Sequence, residues 1–120
     1  MKKNYKDLIA WQRAIDLVPK VYQLIKCFPV EENYALAAQM RRAVVSIAAN
    51  IAEGQARQHR KEFQQRLSFA RGSLAEMETL LIVASKLGYI SEEELTKIEI
   101  EITSVAKPLS GLANSLREPI

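Results

Sequence analysis

The chain has 120 residues, 48% apolar and 26% charged, with only 4 Gly, 4 Pro and 1 Cys. That balance excludes a disordered, collagen-like or disulfide-stapled chain and fits a single domain around one core. Lone Cys27 permits no internal disulfide and fits a reducing compartment. Seventeen bases against fourteen acids leave a net charge of +3, too small by itself to name a nucleic-acid partner.

Leu8-Ile9-Ala10-Trp11 is too short for the apolar core of a signal peptide. The uncharged run from Ala43 to Ala52, interrupted by Ser46 and Asn50, falls short of the roughly 20 apolar residues that span a bilayer. A soluble, cytoplasmic protein is expected.

The first helix is predicted over about 6–27. Leu8, Trp11, Ile15, Val18, Tyr22 and Ile25 recur at steps of three and four. A second stripe, Ala10, Ala14, Leu17, Val21, Leu24 and Phe28, lies beside the first, so together they cover roughly half the helix. Pro19 should kink or split this helix, and Phe28-Pro29-Val30 ends it.

A second helix, about 32–54, is apolar nearly all round, and Gly54 sits where a glycine would stop it. Its polar residues Gln39, Arg42, Ser46, Asn50 and Glu53 fall on one seam. That seam is either the solvent face or an inter-subunit groove in which Ser46 and Asn50 set the register. The third helix, about 60–87, carries Phe63, Leu67, Ala70, Leu74, Met77, Leu81 and Ala84, and Gly88 terminates it. The fourth, about 91–116, opens with a capping box of Ser91 and Glu94 and carries Leu95, Ile98, Ile102, Val105, Leu109, Leu112 and Leu116. Pro108 lies inside it and should kink or split it.

No stretch has the period of a strand, and short connections force antiparallel neighbours. The predicted fold is all-α, an antiparallel up-down-up-down four-helix bundle filling residues 1–120 as one domain. A small bundle has one interior, so the wide apolar faces of the first two helices predict self-association. The alternative is a monomer with scattered apolar surface residues.

Position reveals more than net charge. From Arg41 to Arg71 seven bases face two acids, whereas residues 72–120 hold eight acids against four bases. The sharpest cluster is Arg57-Gln58-His59-Arg60-Lys61, at the start of the third helix. Cations there oppose the helix dipole but sit beside free backbone N–H groups, a setting that can receive phosphates. The alternative is a solvated surface paired with the acids of the fourth helix. Arg41, Arg42, Arg66 and Arg71 complete the basic set.

Catalytic signals are absent from the sequence. His59 and Cys27 lie near different helix ends, and Glu76 and Glu78 have the spacing of surface carboxylates. No zinc spacing, Glu-x-x-His pair or glycine-rich phosphate loop occurs. A non-enzyme without cofactor or metal is expected.

The run from Gln39 to Gly54, reading QMRRAVVSIAANIAEG, resembles the signature of the four-helix-bundle proteins encoded by intervening sequences of bacterial 23S ribosomal RNA genes. Leu8-Ile9-Ala10-Trp11-Gln12, Lys61-Glu62-Phe63, Arg71-Gly72-Ser73-Leu74-Ala75-Glu76 and Leu87-Gly88-Tyr89-Ile90 extend the resemblance over nearly the whole chain. Arg41, Arg42, Ser46, Asn50, Glu53 and Gly54 occupy its motif positions.

The resemblance implies a homopentameric ring and no catalytic activity. Many members are called ribosomal proteins, and a related branch is the accessory protein of diversity-generating retroelements, partnering a reverse transcriptase and RNA. One departure stands out. Members often place serine or threonine before Lys-x-Glu-Phe as a helix cap, whereas this chain reads Gln58-His59-Arg60-Lys61-Glu62-Phe63, so a poorly capped third helix is expected. Two roles follow: a homo-oligomeric module binding RNA or a ribonucleoprotein, or a protein-interaction scaffold without direct nucleic-acid contact.

Overall fold

The computed structural model describes residues 4–117; residues 1–3, with Lys2 and Lys3, and residues 118–120, with Glu118, lie outside the described residues. Four helices follow one another, α1 (Ile9–Ile25), α2 (Leu36–Ala56), α3 (Arg60–Lys86) and α4 (Glu92–Ser115), with no strand among the described residues. Each packs on its two neighbours: α1 on α2 and α4, α3 on α2 and α4. The result is an up-down-up-down bundle about 47 Å long and 24 Å across.

The predicted caps close two helix ends. Gly88 adopts φ +82°, and its N–H reaches Ser85 C=O (3.0 Å) while Tyr89 N–H reaches Ala84 C=O (2.9 Å). These two bonds form a Schellman motif, whose left-handed residue is cheapest as glycine. Ser91 Oγ accepts from Glu94 N–H (3.0 Å), and Glu94 Oε1 accepts from Ser91 N–H (2.9 Å), the reciprocal box that starts α4. At the chain start, a box of Asn4 and Asp7 closes a separate 3₁₀ turn, Tyr5–Asp7, so α1 begins only after the extended residue Leu8. A second 3₁₀ turn, Val30–Glu32, precedes α2, and Glu32 Oε1 accepts from Leu36 N–H (3.3 Å).

Glu32 also ties the two connections at that end together. Its Oε2 accepts from Tyr89 Oη at 2.8 Å, and the Tyr89 ring packs on Phe28 with centroids 5.2 Å apart. That hydrogen bond, with desolvation and the charges of Glu32 and Glu31 adding to it, holds the Tyr89 phenol above its usual pKa.

Of the two apolar stripes on α1, the second lines the core. Ala10, Ala14, Leu17 and Val21 are buried with Ile25, whereas Ile15 and Tyr22 are exposed and Trp11 and Val18 half-buried. Ala10 and Ala14 are among the most deeply buried residues of this stripe. On α2, Ala37, Met40, Ala43, Val44, Ile47, Ala48 and Ile51 are all buried. Contact with both α1 and α3 therefore covers most of its wide apolar surface within one chain, leaving Val45 and Ala49 exposed.

Both prolines sit inside unbroken helices, so neither helix is split. Pro108 cannot donate to Ser104 C=O, its partner four residues back. Arg13 of α1 supplies the missing donor, with Nη1 3.1 Å from that oxygen, so a defect in α4 becomes a tie between helices. Arg13→Met keeps the stem and removes the donor, and should cost about 0.5–1.5 kcal/mol in urea denaturation. Adding Pro108→Ala restores the intrahelical N–H and should recover most of that loss. A double variant no more stable than Arg13→Met would show that the bond does not compensate the proline.

Candidate nucleic-acid interface

The basic cluster sits at the tip where α2 turns into α3. Arg57 and His59 are extended, and α3 starts at Arg60 with no side chain capping it. The first helical hydrogen bond there is Phe63 N–H to His59 C=O at 3.1 Å. The N–H groups of the opening turn thus lie beside the exposed side chains of Arg60 and Lys61.

Gly54 sets the geometry of this tip, in a way its sequence position hides. α2 continues past it to Ala56, so Gly54 is a buried helical residue and not the terminator. A Cβ at 54 would stand 2.8 Å from Phe63 Cδ1 and 2.9 Å from Arg66 Cβ. Glycine is required here by close approach: its missing side chain lets α3 lie against α2 and brings Arg66 beside Glu53.

The polar seam of α2 follows from that approach. Its half from Ser46 to Glu53 makes contacts to α3 within the chain. Ser46 Oγ bonds Ser73 Oγ (2.6 Å) and Ala43 C=O (2.8 Å), and Asn50 Nδ2 donates to Ser46 C=O (2.8 Å). Arg66 Nη1 donates to Asn50 Oδ1 at 3.5 Å, and its guanidinium lies 5.7 Å from the Phe69 ring centroid. Glu53 Oε1 takes both Arg57 Nη2 (2.9 Å) and Arg66 Nη2 (3.1 Å), while Glu62 stands 3.7 Å from Arg57 Nη1. At the other end of the seam, Gln39 and Arg42 are both exposed.

The seven basic residues do not form one patch. Arg57, Arg60, Lys61 and Arg66 gather at the tip. Arg41 lies sixteen positions before Arg57 on α2, about 24 Å away at the helical rise, and its Nη2 donates to Asn33 C=O at 2.7 Å near the opposite end. Arg71 lines the groove between α3 and α4 with Glu78 and Thr103. Among the described residues, Arg42, Arg60, Lys61 and Arg71 make no ion pair.

Sequence reading missed two cations. Antiparallel topology returns the start of α1 and the end of α4 to this tip, where Gln64 Nε2 donates to Leu116 C=O at 2.6 Å. Exposed Lys6 and Arg117 therefore belong to the same end of the bundle. The other end collects Glu31, Glu32, Glu92, Glu93 and Glu94 together with Lys26, Arg41 and Lys86, so the excess of cations is confined to the α2–α3 tip. The up-down connectivity was the signal that groups these residues.

No group of three or more His, Cys, Asp or Glu is placed to hold a metal, and no helix is long and apolar enough to cross a membrane, among the described residues. Fold and tip together define a small antiparallel helical bundle with a cation-bearing end. The chain belongs to the 23S rRNA-intervening sequence protein family, which it matches over residues 6–111. It is similar to the crystal structure of a protein of unknown function from the S23 ribosomal protein family of Bacteroides thetaiotaomicron VPI-5482. The TM-score is 0.82 and the identity 25%, over 91% of this chain and 98% of that one. No curated protein matches it.

Proposed function

We propose that this protein is a non-enzymatic, cytoplasmic binding module for RNA or a ribonucleoprotein, working as a homo-oligomer, a pentamer by its family resemblance. The observation carrying the RNA reading is the α2–α3 tip. There Arg60 and Lys61 are exposed and free of carboxylate partners among the described residues, beside an uncapped helix N-terminus. Cations and aligned N–H groups suit phosphodiester contacts that are indifferent to sequence. Arg42 and Arg71 add charge at a distance, and Arg41 is engaged with Asn33.

Retention of a structured RNA should fall steeply as salt rises, with a log–log slope near one per phosphate contacted. Reversing the tip with Arg60→Glu and Lys61→Glu should weaken binding at least about tenfold and reduce the slope by about two. Arg41→Gln, at the far end, should leave both unchanged. Equal RNA retention by the reversed protein would remove the tip from the interface.

A protein scaffold for a partner such as a reverse transcriptase is the second reading. It is favoured by Glu53 and Glu62, which neutralise Arg57 and Arg66 within the chain. Stoichiometric capture of one protein, unaffected by the charge reversal, would select it.

A further inference from the structure

We propose that the Glu53 carboxylate occupies a phosphate subsite built by Arg57 and Arg66, and that an RNA phosphodiester displaces it on binding. This rests on the RNA reading and adds a competitor internal to the chain. A single oxygen, Glu53 Oε1, receives Nη2 of Arg57 at 2.9 Å and Nη2 of Arg66 at 3.1 Å. Two guanidinium groups converging on one anionic oxygen is also the arrangement that holds a phosphate oxygen.

Each arginine has a second, longer contact besides the carboxylate. Arg66 keeps Asn50 Oδ1 and the Phe69 ring, and Arg57 keeps Glu62, when Glu53 leaves. These contacts bias both guanidinium groups toward the same spot without depending on Glu53.

Glu53 is poorly placed to resist. It lies in the last turn of α2, where a carboxylate meets the negative end of the helix dipole. Its side chain is 45% exposed, so it can swing into solvent without breaking the fold. Exposed ion pairs are weak and screened by salt. A nucleic-acid strand instead presents successive phosphates and gains from releasing condensed counterions.

Fluorescence anisotropy with a labelled structured RNA tests this, using circular dichroism to confirm unchanged helix content. Glu53→Gln should bind roughly three- to thirtyfold tighter than the parent, from two released pairs. Its salt slope should steepen by between about one and two. Glu62→Gln removes the same charge from the same tip, but only a 3.7 Å contact to one arginine, so its gain should be smaller. Adding Arg57→Gln and Arg66→Gln to Glu53→Gln should abolish the gain.

Equal effects of Glu53→Gln and Glu62→Gln would reduce the matter to net charge and overturn the proposal, as would unchanged affinity in Glu53→Gln. Both outcomes leave RNA binding by the parent intact. A parent that fails to bind while Glu53→Gln binds would support the subsite and overturn RNA binding by the resting protein. Failure of both to bind overturns both. Competition by inorganic phosphate at RNA-equivalent concentrations would assign the subsite to the free ion and overturn its RNA role.

Discussion

Substituting the buried helical glycine and an exposed one should move stability in opposite directions. Gly54→Val is expected to lose about 2–3 kcal/mol in urea denaturation, because its Cβ would lie 2.8 Å from Phe63 and 2.9 Å from Arg66 Cβ. The Phe63 ring can rotate, but Arg66 Cβ is fixed to the α3 backbone, so the helices must separate. Separation also withdraws Arg66 from Glu53 and Asn50, coupling tip geometry to packing. Gly72→Ala is the counterpart: a Cβ added there would meet nothing within 4 Å, and the residue sits exposed inside α3. There only the helix preference of alanine acts, and a gain of about 0.5–1 kcal/mol is expected. A Gly54→Val protein as stable as the parent would mean the α2–α3 contact yields freely.

The contrast between these glycines marks where sequence reading stops. Local chemistry is legible: Ser91 with Glu94 and Gly88 at positive φ involve residues within a few positions of one another. Period shows that α1 has two apolar stripes, yet only contact with the neighbouring helices reveals which goes inside. Gly54 resembles a stop because it lies near a helix end, while its actual requirement comes from Phe63 and Arg66 on another helix. The Ser46–Asn50–Glu53 seam is visible as a line, but Ser73 and Arg66, which complete it, come from α3. The basic stretch is over-grouped in sequence and under-grouped in space. Arg41 leaves it along the helix axis, and Lys6 and Arg117 enter it through the topology.

Assembly carries the other large expected effect. Folding covers much of the apolar surplus on α2, so the proposed self-association must rest on what stays outside: Ile15 at 41%, Tyr22 at 39% and Val45 at 46% exposure. Ile15 and Tyr22 are seven residues apart on one face of α1. Tyr22 borders a cleft of about 400 Å³ shared with Ala37 and Arg41, which turns that face toward the outer side of α2. Val45 and Ala49 lie on that outer side, so the apolar strip crosses two helices. A charge placed there stays solvated in a monomer but is stripped of water in an oligomer. Ile15→Glu combined with Val45→Glu should therefore weaken association by at least about a hundredfold. Light scattering should show the parent at a multiple of 13.6 kDa and the double variant near that mass, with helix content unchanged. Ile100→Glu on α4, diagonal to α2 and 65% exposed, should leave the parent's mass unaltered. A parent that is monomeric at micromolar concentration would remove the assembly half of the proposed function. The tip and its cations would remain, because Arg60, Lys61 and the Glu53-bound pair are all supplied by one chain.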